Sequence, residues 1–301
     1  QQNIDIADLR RLWSYADAHG YHWVSVWDHF YCRTDSSDPH FEAIALMAAL
    51  ASETRNIQIG CLVFAAAYRN PGLLAKSLVT IDHLSGGRCH GGLGAGWHEP
   101  EYHDYGYPFL PIGRRMDQLE EAAIAVRQLL DHANETVTYQ GEYVQLDHAY
   151  ANPKPIQRPL PLWIGGLGEK RSLRITARHA DGWNAAYIGP DVWAHKNDVL
   201  ARWCEREGRD PGSLDRSLNL MFYMAPDEAS VAAADEKMAA QVQDELELRR
   251  PGSLTGSPRQ AIERISEYQR AGVGWINLAI RPPVDWDAVH AFTEEVIPAF
   301  R

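Results

Sequence analysis

Along this chain, apolar residues recur at helical spacing, then gather into short runs, and the two patterns alternate almost from end to end. Spacing of i, i+3, i+4 marks a helix, whereas a run of four to eight apolar residues bounded by turn formers marks a buried strand. On this basis helices are predicted over Ile6–Ala18, Phe41–Glu53, Pro71–Leu84 and Arg114–Asp131. Strands are predicted at "HWVSVW" (His22–Trp27), "IQIGCLVF" (Ile57–Phe64) and Arg88–Leu93. The alternation breaks at "VTYQGEYVQLDHAYANPKPIQRP", where Gln140-Gly141 between β-prone runs predicts a hairpin and a Pro-rich connector. It then resumes with "PLWIGG", a helix over Glu169–His179, "GWNAAY", a helix over Val192–Glu207 and "LNLMFYM". Helices over Glu228–Arg249 and Pro258–Arg270, the strand "WINLAI" and a helix from Asp285 complete the chain.

Repeated βα alternation predicts a parallel sheet covered by helices. The core strands centre on Trp23, Ile59, Gly92, Trp163, Trp183, Leu220 and Ile276. That is one short of an eight-stranded barrel, and the chain opens at "QQNIDIADLRRLW" on a helix, so the expected first strand of a (β/α)8 TIM barrel falls before Gln1. A doubly wound open sheet is the alternative, because alternation alone does not close a barrel. One domain over residues 1–301 is expected, with an insertion at about 132–158.

Composition narrows the partners. With 29 Lys plus Arg against 40 Asp plus Glu, the net charge of -11 repels a phosphate backbone and argues against nucleic acid. No apolar run reaches the length of a membrane span. Cys32, Cys61, Cys89 and Cys204 are scattered without CxxC spacing, and the N-terminus lacks a signal region, so a cytoplasmic protein is expected. A small-molecule substrate is the expected partner; a homodimer is left open.

In a parallel barrel the chemistry sits on the loops after the strands. Asp28 and His29 follow the first strand: histidine is a side-chain type that can exchange a proton with a substrate or cofactor, and a neighbouring carboxylate could orient or charge it. The plainer reading is a histidine packed beside an aromatic loop. After the second strand, Asn70-Pro71 reads as a helix cap.

The stretch "GRCHGGLGAGWHEPEY" contains Gly91, Gly92, Gly94 and Gly96, yet no long helix follows, so it is not a dinucleotide fingerprint. Its glycines mark a close approach to bare backbone, and Trp97 and Tyr102 are candidates for a pocket around a planar ring. Core packing is the competing explanation. Gly165, Gly166 and Gly168 run straight into a helix, which makes them the better phosphate site; Lys170, Arg171 and Arg174 add charge or simply cover a helix surface. His98, Glu99, Glu101 and His103 crowd one loop without zincin or facial-carboxylate spacing, so no metal is expected.

Taken together, "GYHWVSVWDHF", "NPGLLAKSLVTIDHLSGGRCHGGLGAGWHEPEYHDYGYPF", "YANPKPIQRPLPLWIGGLGEKRSLRITARHADGWN" and "TGSPRQAIERISEYQRAGV" resemble the bacterial luciferase-like monooxygenase superfamily. The branch most resembled holds oxidoreductases that use the deazaflavin coenzyme F420. The resemblance implies a (β/α)8 barrel, usually with a short strand before a "PQQN"-like segment. It implies a deazaflavin or flavin at the C-terminal mouth, its tail phosphate near Gly165, Gly166 and Gly168. The ring would lie against Leu62 and Val63, where relatives often carry a bulge with a non-prolyl cis peptide, and against Gly94, Ala95 and Gly96. His29, beside Asp28, falls where several deazaflavin enzymes hold an acid or base. Some relatives carry Glu at about the position of Trp97, so sugar-phosphate dehydrogenation is not implied. Hydride transfer between F420 and a small organic substrate is the favoured activity. The alternatives are an FMN-dependent monooxygenase and a non-catalytic flavin-binding barrel.

Overall fold

The computed structural model describes residues 1–31 and 37–301, so Cys32 lies outside the described residues. Helix α1 (Ile6–Ala18) leads into β1 (Trp23–Val26), α2 (Ala43–Glu53), β2 (Gln58–Cys61) and a two-residue β3 (Phe64–Ala65). Next come α3 (Pro71–Ser85), β4 (Cys89–Gly94), α4 (Glu99–Asp104) and α5 (Ile112–Leu130). A hairpin of β5 (Thr136–Gln140) and β6 (Gln145–Tyr150) separates this part from β7 (Leu162–Gly165), α6 (Ser172–His179), β8 (Gly182–Ala186) and α7 (Pro190–Arg206). The chain ends with β9 (Asp215–Met224), α8 (Val231–Val242), α9 (Leu246–Arg249), β10 (Ser253–Gly256), α10 (Pro258–Arg270), β11 (Trp275–Ala279) and α11 (Trp286–Ala291).

Among the described residues the main sheet runs β1-β2-β4-β7-β8-β9, with β10 and β11 both on β9 and β3 beside β4. Every one of these pairings is parallel. The hairpin β5–β6 is antiparallel and forms a sheet of its own.

Side chains show that the main sheet curls. Trp23 of β1 and Trp275 of β11 lie far apart in the hydrogen-bonded order, yet their ring centroids are 5.2 Å apart. Both also touch Trp163 of β7, at 5.5 Å in each case, and Trp163 donates its indole N–H to Nδ1 of buried His90 at 3.0 Å. Four strands thus send aromatic rings to one place inside the curl, as the layered filling of a TIM barrel requires and an open doubly wound sheet does not. Gly182 is part of this layer, because a Cβ there would run into the Trp163 ring.

Local chemistry explains the helix positions. Asn70 caps α3, its side chain accepting the Gly72 N–H at 2.8 Å with Pro71 in the first turn, as the sequence predicts. Ser257 and Gln260 form a capping box at α10. Apolar faces of α2, α3 and α5 pack with β2, β4 and β7 in one cluster built around Met47, Ile59, Leu78, Leu119 and Ile164. Each removes most of a large side chain from water, at roughly 1.5–3 kcal/mol apiece.

Candidate active site at the mouth of the barrel

Because the strands are parallel, their C-terminal ends share one rim. Four of them carry the residues singled out in the sequence: Asp28 and His29 after β1, Leu62 and Val63 after β2, Gly94 to Trp97 after β4, and Gly165 to Gly168 after β7.

The centre of this rim is Val63. The peptide joining it to Leu62 is cis. A Cβ built on Gly94 would come within 2.6 Å of Val63 Cγ2, and one on Gly165 within 2.9 Å of both Val63 methyl carbons. Gly92 is equally constrained, since a Cβ would press into the Cys61 carbonyl. The glycine-rich strand therefore answers a packing demand: β4 and β7 give up side chains so that the β2 end can bulge into the barrel. Gly96 has a second cause. It adopts φ +72°, a region that favours glycine, and the Tyr102 hydroxyl occupies the place a Cβ would need. Its carbonyl accepts a bond from Arg115, which fixes the turn. Ala95 and Gly96 are half-buried at the rim.

Tyr102 is corrected by the structure. It is 0% exposed and packs with Tyr68, Tyr107 and Phe109 in an aromatic cluster beneath the loop, so it supports the site instead of lining a pocket. Trp97 is different: it is 58% exposed, stands edge-on to His29 at 5.6 Å and stacks on His98 at 5.1 Å.

His29 is oriented by Glu101, not by its neighbour Asp28. Its Nδ1 lies 2.8 Å from Oε2 of Glu101, which is wholly buried. Glu101 also accepts the backbone N–H groups of Phe30 at 2.7 Å and Tyr31 at 3.3 Å, and the Tyr68 hydroxyl at 3.2 Å. Burial pushes its carboxyl up, but the bonds from His29, Phe30 and Tyr31 outweigh this and hold it below the ordinary carboxylate range. An ionised carboxylate only accepts, so Nδ1 carries the hydrogen and Nε2 is left as the basic nitrogen. Asp28 points elsewhere. Its carboxylate takes the Ala65 N–H at 3.0 Å and the Arg69 guanidinium at 2.5 Å, and Arg69 reaches on to Glu42 at 2.6 Å. Burial raises its pKa, with Arg69 opposing. It ties β1 to the β3 loop and has no bond to the His29 ring. Glu101 is not evident from the sequence as an orienting group, because its partner lies 72 residues away.

At the β7 end the glycines lead to helix α6, which starts at Ser172, three residues later than the sequence predicts. Gly166 takes φ +139°, and a Cβ there would come within 3.1 Å of Ser172 Oγ; at Gly168 the distance would be 2.9 Å. No side chain caps the helix start. Bare backbone thus faces the positive end of the helix, an arrangement suited to phosphate. Arg171 and Arg174 take the plainer of their two readings, since they pair with Asp117 and Glu207 respectively.

The luciferase-like monooxygenase family model matches residues 1–243. The chain belongs to that family. An uncharacterised protein of Mycobacterium tuberculosis (strain ATCC 25618 / H37Rv) is 37% identical over 185 residues, covering 53% of this chain and 64% of its own length. Pyrimidine monooxygenase RutA of Cronobacter sakazakii is 30% identical over 207 residues, covering 67% of this chain and 58% of its own. The chain thus matches somewhat under two thirds of each of these relatives. Among solved structures, an F420-dependent secondary alcohol dehydrogenase in complex with an F420-acetone adduct superposes with a TM-score of 0.86 at 22% identity, over 100% of this chain and 96% of that one. Monooxygenase RslO1 from Streptomyces bottropensis gives 0.83 at 19% identity, over 98% of this chain and 93% of that one. At these identities the superpositions establish the shared barrel fold. This is a luciferase-like oxidoreductase fold with deazaflavin-dependent and monooxygenase neighbours. No helix among the described residues is long and apolar enough to cross a membrane.

Proposed function

We propose that the protein transfers hydride between coenzyme F420 and a small organic substrate, with His29 moving the accompanying proton. The observation that carries this reading is the Nδ1–Glu101 bond, which leaves Nε2 as the accepting nitrogen of the imidazole while a quarter of the side chain stays exposed beside Trp97. A buried anion behind the ring stabilises the imidazolium that forms when Nε2 takes a proton, and the same group returns it in the reverse direction.

The residues fit a deazaflavin. Gly168, with the uncapped start of α6, offers backbone N–H groups to a phosphate, Gly166 leaves room for it while its own N–H is held by the Asn184 carbonyl at 3.2 Å, and Val63 closes the barrel beneath the rim where a flat ring would rest. When bound, the deazaflavin supplies a carbon centre that passes electrons as hydride, whereas reduced FMN would activate oxygen. Val63 and the β4 and β7 backbones shape the floor; Trp97 shields His29 from one side. The similarity to RutA, a pyrimidine monooxygenase, favours the second reading, an FMN-dependent monooxygenase with the same floor.

Anaerobic titration of the purified chain with each cofactor separates the two. Tight binding of F420 and single-turnover reduction or oxidation of a screened substrate supports the first reading. Productive binding of FMN alone, with oxygen consumption, replaces it.

A further inference from the structure

We infer that His29, His98 and Glu101 form a binding site for a divalent transition-metal ion of the zinc type, and that filling it blocks His29 as a proton acceptor. The second half rests on the role proposed for His29; the first half does not. One donor atom from each of the three residues lies within 4.8 Å of the other two. Glu101 Oε2 is 2.8 Å from His29 Nδ1 and 3.6 Å from His98 Nδ1. Zinc bonded to nitrogen and oxygen at about 2.0–2.1 Å in a tetrahedron needs donors about 3.3 Å apart. These two separations bracket that spacing, and the two imidazole donors, within 4.8 Å of each other, close on the ion by rotation of the rings.

An independent observation points the same way. His98 is 9% exposed, and its Nδ1 is buried without a hydrogen-bond partner among the described residues although it faces a carboxylate. An unpaired buried imidazole nitrogen is costly, and a metal ion would satisfy it. Glu101 is already fixed in place, with Oε1 accepting the Phe30 and Tyr31 N–H groups and Tyr68 steadying Oε2 from the side. Two imidazoles and one carboxylate suit zinc, cobalt or nickel, whereas calcium and magnesium ask for oxygen. The fourth position falls to water, because a quarter of the His29 side chain is exposed. Glu99 and His103, although adjacent in sequence, pair with each other on the surface and take no part.

The chemistry follows from one proton. In the metal-free ring the hydrogen sits on Nδ1, facing Glu101, and Nε2 is free to accept. Bonding of Nδ1 to the ion moves that hydrogen, through solvent, to Nε2. The ring keeps one proton and its charge, but the accepting atom is filled.

The test uses the full chain, freed of metal by chelation. Zinc binding is measured by equilibrium dialysis and cobalt binding by visible absorption, in the wild type and in His98→Gln and His29→Asn, with circular dichroism confirming each fold. The expected result is one zinc per chain, a cobalt spectrum of four-coordinate type, and affinity lower by roughly tenfold or more in each variant. Absence of stoichiometric binding in the wild type, or affinity in both variants unchanged from the wild type, overturns the site and leaves the proposed hydride transfer untouched. Turnover is then followed as zinc is added to the wild type, and it should fall in step with occupancy. Full turnover at full occupancy overturns the block and, with it, the proton-accepting role of His29, while the metal site stands.

Discussion

The imidazole of His29 and the carboxylate of Glu101, 72 residues apart in sequence, meet at 2.8 Å at the mouth of the barrel. The bond sets the tautomer of the ring and places an anion behind it. Glu101→Gln keeps the shape but removes the charge. It should slow single turnover by roughly a hundredfold, within the range a positioned acid or base contributes, while F420 affinity changes little. An unchanged rate in a folded Glu101→Gln protein would detach the carboxylate from the chemistry.

Val63 and the glycines around it are one packing unit. Gly94→Ala sets a methyl 2.6 Å from Val63 Cγ2, which should cost about 1–3 kcal/mol in urea unfolding and weaken cofactor binding. Removing the opposing methyls with Val63→Ala should recover much of that loss, so the double variant is more stable than the sum of the two changes predicts. Strict additivity would show that the two side chains do not share a space.

Asp28 binds the Ala65 N–H and the Arg69 guanidinium, which predicts a role in stability and none in the proton transfer proposed for His29. Its side chain is 5% exposed and that of its partner Arg69 is 14% exposed. Asp28→Asn leaves a mostly buried guanidinium with Glu42 as its remaining ion-pair partner among the described residues, and the expected loss is about 3–5 kcal/mol. Turnover per folded molecule should change less than that of Glu101→Gln. A large rate loss with undiminished stability would return Asp28 to the catalytic machinery.

The layer at the base of the barrel carries a pH signature. Burial lowers the His90 pKa from 6.5 to about 4, so the ring stays neutral and accepts from Trp163. Between those values the unfolded chain takes up a proton that the folded chain refuses. Stability is therefore complete above pH 6.5, falls as the pH drops towards 4, and levels off below it. Between pH 7 and pH 5 the loss from this group is about 2 kcal/mol, and His40, lowered in the same direction, adds to it. Urea midpoints at the two pH values check this, and His90→Gln should flatten the slope.

Much of the fold can be read from the alternating pattern, because most core strands are short apolar runs between helical repeats. Strand β10 is not, since Ser253–Gly256 has one large apolar residue in four and takes its place from pairing with β9. The candidate site is legible in parts. The strand ends are visible as glycines and as Asp28-His29, and the family resemblance locates the Leu62–Val63 bulge. Which group serves which is hidden, because it depends on contacts between distant segments. Asp28 is next to His29 in sequence but turns to Arg69 in the loop after β1 while His29 turns to Glu101, and Tyr102 reads as a pocket aromatic until Gly96 is seen folded over it.

In the proposed reaction His29 moves the proton of a hydride transfer while the glycine rim holds the cofactor. The most direct measurement pairs the F420 dissociation constant with the anaerobic single-turnover rate in wild type and His29→Ala. The predicted result is nearly equal dissociation constants and a rate lower by roughly a hundredfold to ten thousandfold in the variant. Equal rates, or productive turnover with FMN and none with F420, would contradict it.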